Sequence, residues 1–185
     1  SKHTSFRIGG GAEVMAFPKS RNELAQVLKV SALLDVKPAI LGAGTNILAP
    51  DEGISGLVIC LKDSLDGMER LDENRIRVMA GVTMTRAAVF AANLGLSGLE
   101  FSHGIPGSVG GGVYMNAGAY GGEICQVCEE VEIMDMQGNI FVRPCACMDF
   151  AYRHSFLEKE EGIVVSAVFR LEPKPQEEIR GKMKE

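Results

Sequence analysis

Gly104-Ile-Pro-Gly-Ser-Val-Gly-Gly-Gly-Val-Tyr-Met-Asn-Ala-Gly-Ala-Tyr-Gly121 is the stretch that decides the fold, with seven glycines among eighteen residues and no charged side chain. Glycine has no Cβ and costs folding entropy, so this density is expected where the backbone approaches something closely. Pro106 presets a turn, and Ser108 with the glycines after it places several N–H groups close together. Such nests of N–H groups bind anions, and a diphosphate is a common ligand for them.

A second segment of the same kind, Leu41-Gly-Ala-Gly-Thr-Asn-Ile-Leu48, follows an apolar run that begins at Ala39. It lacks the third glycine of a dinucleotide fingerprint, and the chain contains no Gly-Lys-Ser/Thr, so Rossmann and P-loop sites are excluded. Thr45 and Asn46 still offer donors to phosphate oxygens. Two uncharged segments of this type predict one large phosphate-bearing ligand. The alternatives are an ordinary turn after a strand and a glycine-rich bend packed between two lobes.

Composition limits the class of protein. The chain has 185 residues, of which 46% are hydrophobic, enough for one domain or a tightly joined pair with a full core. A net charge of −5 with scattered Lys and Arg argues against nucleic-acid and anionic-membrane partners. No apolar run approaches the ~20 residues of a spanning helix, and no signal-peptide pattern is evident. We expect a cytoplasmic protein with no nucleic-acid and no membrane partner.

The pattern along the chain predicts an α+β fold. Residues 12–41 read as strand, helix, strand, with Ser20 and Glu23 forming a capping box at the start of the helix. Short strands follow, and Thr83 is expected to cap a second helix. The predicted division is an N-terminal βαβ lobe at residues 1–57, a second α+β lobe at 58–172, and a charged linker toward an absent C-terminal domain at 173–185.

The five cysteines are odd in number and lie in a chain large enough to fold by burial alone, so reduced thiols are expected. Cys125-x-x-Cys128 and Cys145-x-Cys147 have the outline of a four-thiolate zinc site, which would make the chain a zinc module. The one-residue gap in the second pair and apolar neighbours such as Val127 favour ordinary thiols instead. We therefore predict no bound metal.

Five motifs follow one another along the chain: His3-Thr-Ser-Phe-Arg-Ile-Gly-Gly10, Leu41-Gly-Ala-Gly-Thr-Asn46, Gly104-Ile-Pro-Gly-Ser-Val-Gly-Gly111, Met115-Asn-Ala-Gly-Ala-Tyr-Gly-Gly-Glu123 and Tyr152-Arg-His-Ser155. They stand in the order in which they occur in the UDP-N-acetylenolpyruvoylglucosamine reductase (MurB) family, which this chain resembles from residue 1 to about 172. His3 stands where the family more often has Asn, and Gly112 where Ala is common.

The resemblance implies a two-lobed FAD-binding domain of the vanillyl-alcohol-oxidase (PCMH) type, with the FAD diphosphate over the two glycine segments. The residues that it assigns to the cofactor come mostly from those segments. They are Gly42, Ala43, Gly44, Thr45, Asn46, Ile47, Gly81, Gly104, Ile105, Pro106, Gly107, Ser108, Gly110, Gly111, Asn116, Gly118 and Ile163.

The resemblance also implies a reaction, in which NADPH reduces FAD and UDP-N-acetylenolpyruvoylglucosamine is reduced to UDP-N-acetylmuramate, a peptidoglycan precursor. Arg153 is the catalytic residue that it implies, because a fixed guanidinium charge would hold and polarise the substrate carboxylate. Tyr152 and Arg153 are the implied substrate contacts. The family's proton-donating serine and its glutamate lie in a C-terminal domain that has no counterpart here, so the resemblance implies an incomplete enzyme.

Two further questions stay open at this point. His103 and His154 have no carboxylate partner evident in the sequence, and we expect them to be hydrogen-bonding bystanders. The rival functions are another flavin oxidoreductase of the vanillyl-alcohol-oxidase superfamily and a flavin-binding module without catalysis of its own.

Overall fold

The computed structural model describes residues 3–184, which contain four α-helices, several short 3-10 helices and twelve strands. The helices are α1 (Arg21–Leu33), α2 (Met84–Asn93), α3 (Val109–Tyr114) and α4 (Gln176–Lys182). The strands are β1 (Ala12–Ala16), β2 (Ala39–Leu41), β3 (Ile54–Cys60), β4 (Met68–Arg70), β5 (Arg75–Met79), β6 (Leu96–Ser97), β7 (Gly118–Ala119), β8 (Gly122–Glu123), β9 (Cys128–Met134), β10 (Ile140–Pro144), β11 (Ile163–Arg170) and β12 (Glu172–Pro173).

The first sheet is parallel and has the order β1-β3-β2. The helix α1 connects its two outer strands and begins at Ser20, whose hydroxyl accepts a hydrogen bond from the Glu23 N–H at 3.2 Å. Its buried face carries Leu24 and Leu28. Because β3 lies between the outer strands and ends at Cys60, the first sheet continues beyond the boundary predicted at residue 57.

The second sheet is antiparallel, with the order β10-β9-β11-β5-β4. Its central strand β11 is buried from Ile163 to Phe169, so this sheet carries most of the core. The helix α3 packs on β11 and β5. No helix was predicted over this stretch; Ser108 caps a short one, and tertiary contacts offset the low helix propensity of its three glycines.

The C-terminal tail, which was predicted to be a charged linker, forms the strand β12 and the helix α4. Its strand β12 pairs with β6, and α4 buries Ile179 against the rest of the protein. Gln176 Nε2 donates to Asn93 O and Arg180 Nη2 donates to Asn93 Oδ1, both at 2.8 Å. A short helix can pack on the protein through one buried apolar side chain when its polar residues also hydrogen-bond to the end of a neighbouring helix.

The helix α1 is joined to the second sheet by a shared core and an ion pair. The residues Leu24 and Leu28 of α1 belong to the same apolar cluster as the residues of β5, β9 and β11. Arg21 Nη2 lies 2.6 Å from Glu132 Oε2 on β9, and Ser166 Oγ donates to the same oxygen at 2.7 Å. Partial burial alone would raise the pKa of Glu132, but the hydrogen bonds from Arg21 and Ser166 outweigh it and lower that pKa.

Candidate cofactor site

The two glycine segments, which are sixty residues apart in sequence, meet in the folded protein. A Cβ on Gly42 would lie 2.5 Å from Ser108 Oγ, and one on Gly107 would lie 3.8 Å from Thr45 Oγ1. We call the first segment, residues 42–47, loop A and the second, residues 104–108, loop B. Loop A follows β2 directly, and loop B runs into the N-terminus of α3.

Unpaired backbone donors are concentrated at this junction. None of the N–H groups of residues 42–46, 107 and 108 donates a hydrogen bond to another of residues 3–184. Neither loop contains a charged side chain. Free N–H groups of this kind, on a backbone without bulky side chains, form the environment that a phosphate or diphosphate requires.

The N-terminal segment covers loop A, which sequence reasoning had not assigned to the site. Ser5 N donates to Gly44 O at 2.9 Å. Gly44 has φ +67°, and the backbone of His3 occupies the position that a Cβ on Gly44 would take. Thr4 Oγ1 is buried without a hydrogen-bond partner among residues 3–184. Beneath this segment lies a cavity of about 400 Å³, lined by glycines and by apolar residues of the first sheet such as Met15. The quoted N-terminal motif was the available signal for these contacts.

Several glycines predicted to contact the cofactor are in tight contact with the protein itself. A Cβ on Gly110 would lie 2.9 Å from the Ala80 Cβ, and the Gly110 N–H donates to Ala80 O. Gly81 packs against the backbone of Leu61 and Leu65. Gly118 lies in the β7–β8 hairpin, where a Cβ would meet the opposite strand. Close packing accounts for these three glycines, and their contact with a cofactor stays a prediction.

The other predicted residues divide between the junction and the protein interior. Ile47 packs on the first sheet, Ile105 packs against the main core, and Ile163 is buried in β11 opposite Met134. The remaining members lie on the two loops or at the start of α3, with their side chains or backbone at least partly exposed: Ala43, Asn46, Gly104, Pro106 and Gly111.

Asn116 is buried, and its amide is fully occupied by protein partners. Its Nδ2 donates to Glu123 Oε2 and to Ala151 O, both at 3.1 Å, and its Oδ1 accepts from the Cys125 N–H at 3.0 Å. Because Ala151 begins the turn that carries Arg153, Asn116 joins the C-terminal end of α3 to that turn. The structure thus gives Asn116 a positioning role, and its predicted contact with the cofactor is untested.

Tyr152 and Arg153 form the tip of a tight turn closed by two backbone hydrogen bonds between Ala151 and His154, at 3.2 and 3.1 Å. Both tip residues are exposed, and Arg153 has φ +54°. Ser155 Oγ donates to Tyr114 O at 2.7 Å, which anchors the turn to the end of α3. The helix α3, which begins where loop B ends, therefore also anchors this turn.

His154 has two carboxylate partners, neither of which was identified from the sequence. Its Nδ1 lies 2.7 Å from Glu158 Oε2, and its Nε2 lies 3.3 Å from Asp149 Oδ2. The hydrogen bond with Glu158, and then the one with Asp149, raises the pKa of His154. The signal in the sequence was the glutamate four residues later.

A comparison with protein-family profiles identifies the family of the chain. The profile of a family described as FAD binding domain matches residues 12–142, which is more than half of the chain. The chain belongs to the FAD binding domain family. FAD is therefore the cofactor of this domain, and the predicted fold class is confirmed.

Two curated relatives of this FAD-binding domain share one name. The UDP-N-acetylenolpyruvoylglucosamine reductase of Lactobacillus helveticus is 42% identical over 179 residues, covering 97% of this chain and 59% of that relative. The protein of the same name in Bacillus subtilis is 42% identical over 180 residues, again covering 97% and 59%. The chain thus spans about three fifths of the length of the curated relatives it matches.

Solved structures agree with the fold. The UDP-N-acetylenolpyruvylglucosamine reductase (MurB) of Thermus caldophilus superposes on the FAD-binding domain with a TM-score of 0.83 at 34% identity, covering 99% of this chain and 64% of that one. A Phl p 4 variant described as a glucose dehydrogenase gives 0.63 at 15% identity, covering 88% and 35%. The second likeness shows the fold alone.

The residues of the FAD-binding domain fit its cofactor at the junction of the loops. FAD carries a diphosphate, and the free N–H groups of loops A and B are donors that no protein acceptor uses. Gly107 leaves open space at the point where the loops meet, since a Cβ there would have Thr45 Oγ1 as its nearest neighbour. This fit does not depend on any charged side chain.

Three cysteines of the FAD-binding domain, Cys125, Cys128 and Cys145, lie close enough to affect one another's pKa. Within residues 3–184 no group of three or more His, Cys, Asp or Glu side chains has the geometry to hold a metal ion. A hydrogen bond with Cys128 lowers the pKa of Cys145 to about 7, whereas burial raises the pKa of Cys125 to about 11. As to membranes, no helix in the described part of the chain is both long and apolar enough to cross one.

Proposed function

We propose that this chain is the FAD-binding part of a UDP-N-acetylenolpyruvoylglucosamine reductase. The whole protein would use NADPH to reduce UDP-N-acetylenolpyruvoylglucosamine to UDP-N-acetylmuramate in the cytoplasm, as a step of peptidoglycan synthesis. The observation that carries the proposal is the 42% identity to reductases of this name over 97% of the chain. Because the chain spans about three fifths of those relatives, the activity is proposed for the protein that contains it.

Loops A and B would hold the diphosphate of FAD through their backbone N–H groups. Bound FAD supplies the hydride transfer between NADPH and the enolpyruvyl double bond. Thr45 and Asn46 add side-chain donors beside the loop A backbone. The glycines leave room for phosphate oxygens, and the absence of carboxylates from both loops avoids repulsion of the anion.

Arg153 would bind the carboxylate of the substrate and stabilise the negative charge that develops as the double bond is reduced. Two features support this role. The side chain is exposed at the tip of its turn, and its guanidinium forms no ion pair with another of residues 3–184, so its charge is not used to hold the fold. Tyr152, next to it at the tip, is 88% exposed and would contact the same substrate.

The substitution Arg153→Lys in the whole protein tests this role. Lysine keeps the charge but loses the planar fork, so we expect turnover to fall by about 10-fold or more with little change in melting temperature. NADPH oxidation that depends on UDP-N-acetylenolpyruvoylglucosamine is the assay. Arg86 lies on α2 and forms an exposed ion pair with Asp66. Arg86→Lys is the matched control and should leave turnover unchanged.

Two results would count against the proposal. If NADPH oxidation does not depend on the UDP-sugar, the chain belongs to a different flavin oxidoreductase. If Arg153→Lys lowers the melting temperature strongly and releases the flavin, Arg153 holds the fold and does not act on substrate.

A further inference from the structure

The ring of His154 lies between two carboxylates that flank the turn carrying Arg153. Glu158 faces one ring nitrogen at 2.7 Å and Asp149 faces the other at 3.3 Å. An ionised carboxylate only accepts hydrogen bonds, and a neutral imidazole donates from one nitrogen alone. Both contacts are satisfied together only when the imidazole carries two protons.

We propose that doubly protonated His154 is a positioning residue, which clamps the two arms of the turn and so fixes where Arg153 is presented. The role of Arg153 in the reaction rests on the function proposed above. The contacts of His154 with the turn do not depend on that function. His154 touches neither loop A nor loop B among the described contacts, so its effect is on Arg153 through the backbone.

The turn needs such a clamp because its backbone is strained. Asp149 has φ +51° and Arg153 has φ +54°, a left-handed conformation that is unfavourable for a residue with a side chain. Residues in this conformation persist when surrounding contacts over-determine them. Besides the two Ala151–His154 backbone bonds, the arms of the turn are joined by the Phe156 N–H, which donates to Met148 O at 2.7 Å, and by Lys159 on Asp149. The His154 ring adds a bond to Asp149 and is the contact that comes from the tip of the turn itself.

The charged groups that act on the clamp are Glu158, Asp149 and Lys159. Lys159 Nζ donates to Asp149 Oδ2 at 2.9 Å, so Asp149 is shared between two cations. The hydrogen bond from Lys159, and then the one from His154, lowers the pKa of Asp149. Lys159 itself opposes the charge on His154, but the two carboxylates outweigh it and raise the pKa of His154.

These directions define a pH window. A raised pKa means that the clamp is complete below about pH 6.5, the ordinary pKa of histidine, and is lost as pH rises through the raised pKa of His154. A lowered pKa means that Asp149 contributes above its ordinary pKa of about 3.9 and is lost as pH falls through its lowered value. The turn is therefore held best at mildly acidic to neutral pH.

The test is an NMR pH titration of this chain with its FAD bound. We expect the His154 ring to titrate above pH 6.5, and the backbone amides of Ala151 and Arg153 to shift with the same midpoint. Glu158→Gln should lower that midpoint, and Glu161→Gln, which removes a carboxylate three residues further on, is the matched control that should leave it unchanged. In His154→Gln the pH-dependent shift of the Arg153 amide should disappear.

A ring that titrates at or below pH 6.5, or an Arg153 amide that does not follow it, would overturn the clamp. The result is independent of the reductase assay. NADPH oxidation without UDP-sugar dependence would refute the proposed function and leave the clamp standing, whereas a flat Arg153 amide would refute the clamp alone. If His154→Gln does not fold, Glu158→Gln against Glu161→Gln still decides the question.

Discussion

At the scale of single residues, the atoms around a glycine separate a packing role from a ligand role. Gly107 and Gly110 look alike in sequence, since both belong to the same glycine-rich motif. In the structure a Cβ on Gly107 would meet nothing closer than Thr45 Oγ1 at 3.8 Å, whereas one on Gly110 would lie 2.9 Å from the Ala80 Cβ. We therefore expect different effects from substitutions at the two positions.

We predict that Gly107→Val leaves the thermal stability of the flavin-free chain nearly unchanged but abolishes FAD binding, because the valine methyl groups enter the space between the loops. Gly110→Val should instead destabilise the fold by about 1–3 kcal/mol through overpacking against Ala80. Gly181→Ala in α4, where an added Cβ has no neighbour within 4 Å, is the control for both. Calorimetry with and without FAD separates the effects; unaltered FAD affinity in Gly107→Val would contradict the assignment.

Sequence reasoning could not tell these glycines apart at this scale, because it did not give their neighbours. It assigned Gly81, Gly110, Gly118 and Asn116 to the cofactor on the same grounds as Gly107. The first three are packed against backbone or core atoms, and the amide of Asn116 is used by protein partners. Which atom lies beside a glycine depends on contacts between distant segments, and a local motif does not contain that information.

At the scale of elements, the helix α3 depends on its cap. It is six residues long with three glycines, and the Ser108 hydroxyl accepts the Gly111 N–H at 3.4 Å. We predict that Ser108→Ala destabilises the protein by about 0.5–2 kcal/mol and weakens FAD binding, since loop B ends at this cap. Chemical denaturation and FAD titration are the measurements.

Ser20→Ala is the matched control, because Ser20 caps α1 by the same kind of bond to the Glu23 N–H. Its loss should lower stability by a similar amount and leave FAD affinity unchanged. Equal losses of FAD affinity in the two variants would show that Ser108 acts through global stability alone.

The elements that sequence predicted well are those with local signals. Caps at Ser20 and Thr83 mark α1 and α2, and the structure confirms both. In contrast, α3 was missed because glycine has a low helix propensity and the tertiary contacts that stabilise this helix leave no local pattern. The tail was taken for a linker because a single apolar residue, Ile179, seats α4.

At the scale of the whole molecule, the ion pair of Arg21 with Glu132 joins the helix α1 to the second sheet. The pKa of Glu132 is lowered, so its contribution to stability is present above the ordinary glutamate pKa of about 4.3 and is lost as pH falls through the lowered value. We predict that Arg21→Met lowers the free energy of unfolding by about 1 kcal/mol at pH 7 and by less at pH 3. The value is small because solvent screens the partly exposed arginine.

Urea denaturation at the two pH values measures this difference. Arg86→Met, which removes an exposed pair with Asp66, is the control and should cost about 0–1 kcal/mol. An equal loss at both pH values in Arg21→Met would mean that Arg21 contributes packing and not charge.

The sequence predicted the class of the fold and the two glycine segments at this scale, and the family comparison confirms the class. It did not predict that Gly42 and Ser108 would touch, nor that the segment from His3 to Ser5 would lie on loop A. Those contacts join parts of the chain that are about forty to more than sixty residues apart. They arise from the packing of two sheets on one core, which no local pattern specifies.

The central claim is that loops A and B together bind the diphosphate of FAD. Calorimetric titration of the flavin-free chain with FAD and with FMN tests it most directly, since FMN has the same flavin ring but a single phosphate. We predict one FAD per chain, bound at least about 100-fold (~2.7 kcal/mol) more tightly than FMN. FMN binding as tight as that of FAD would contradict the account.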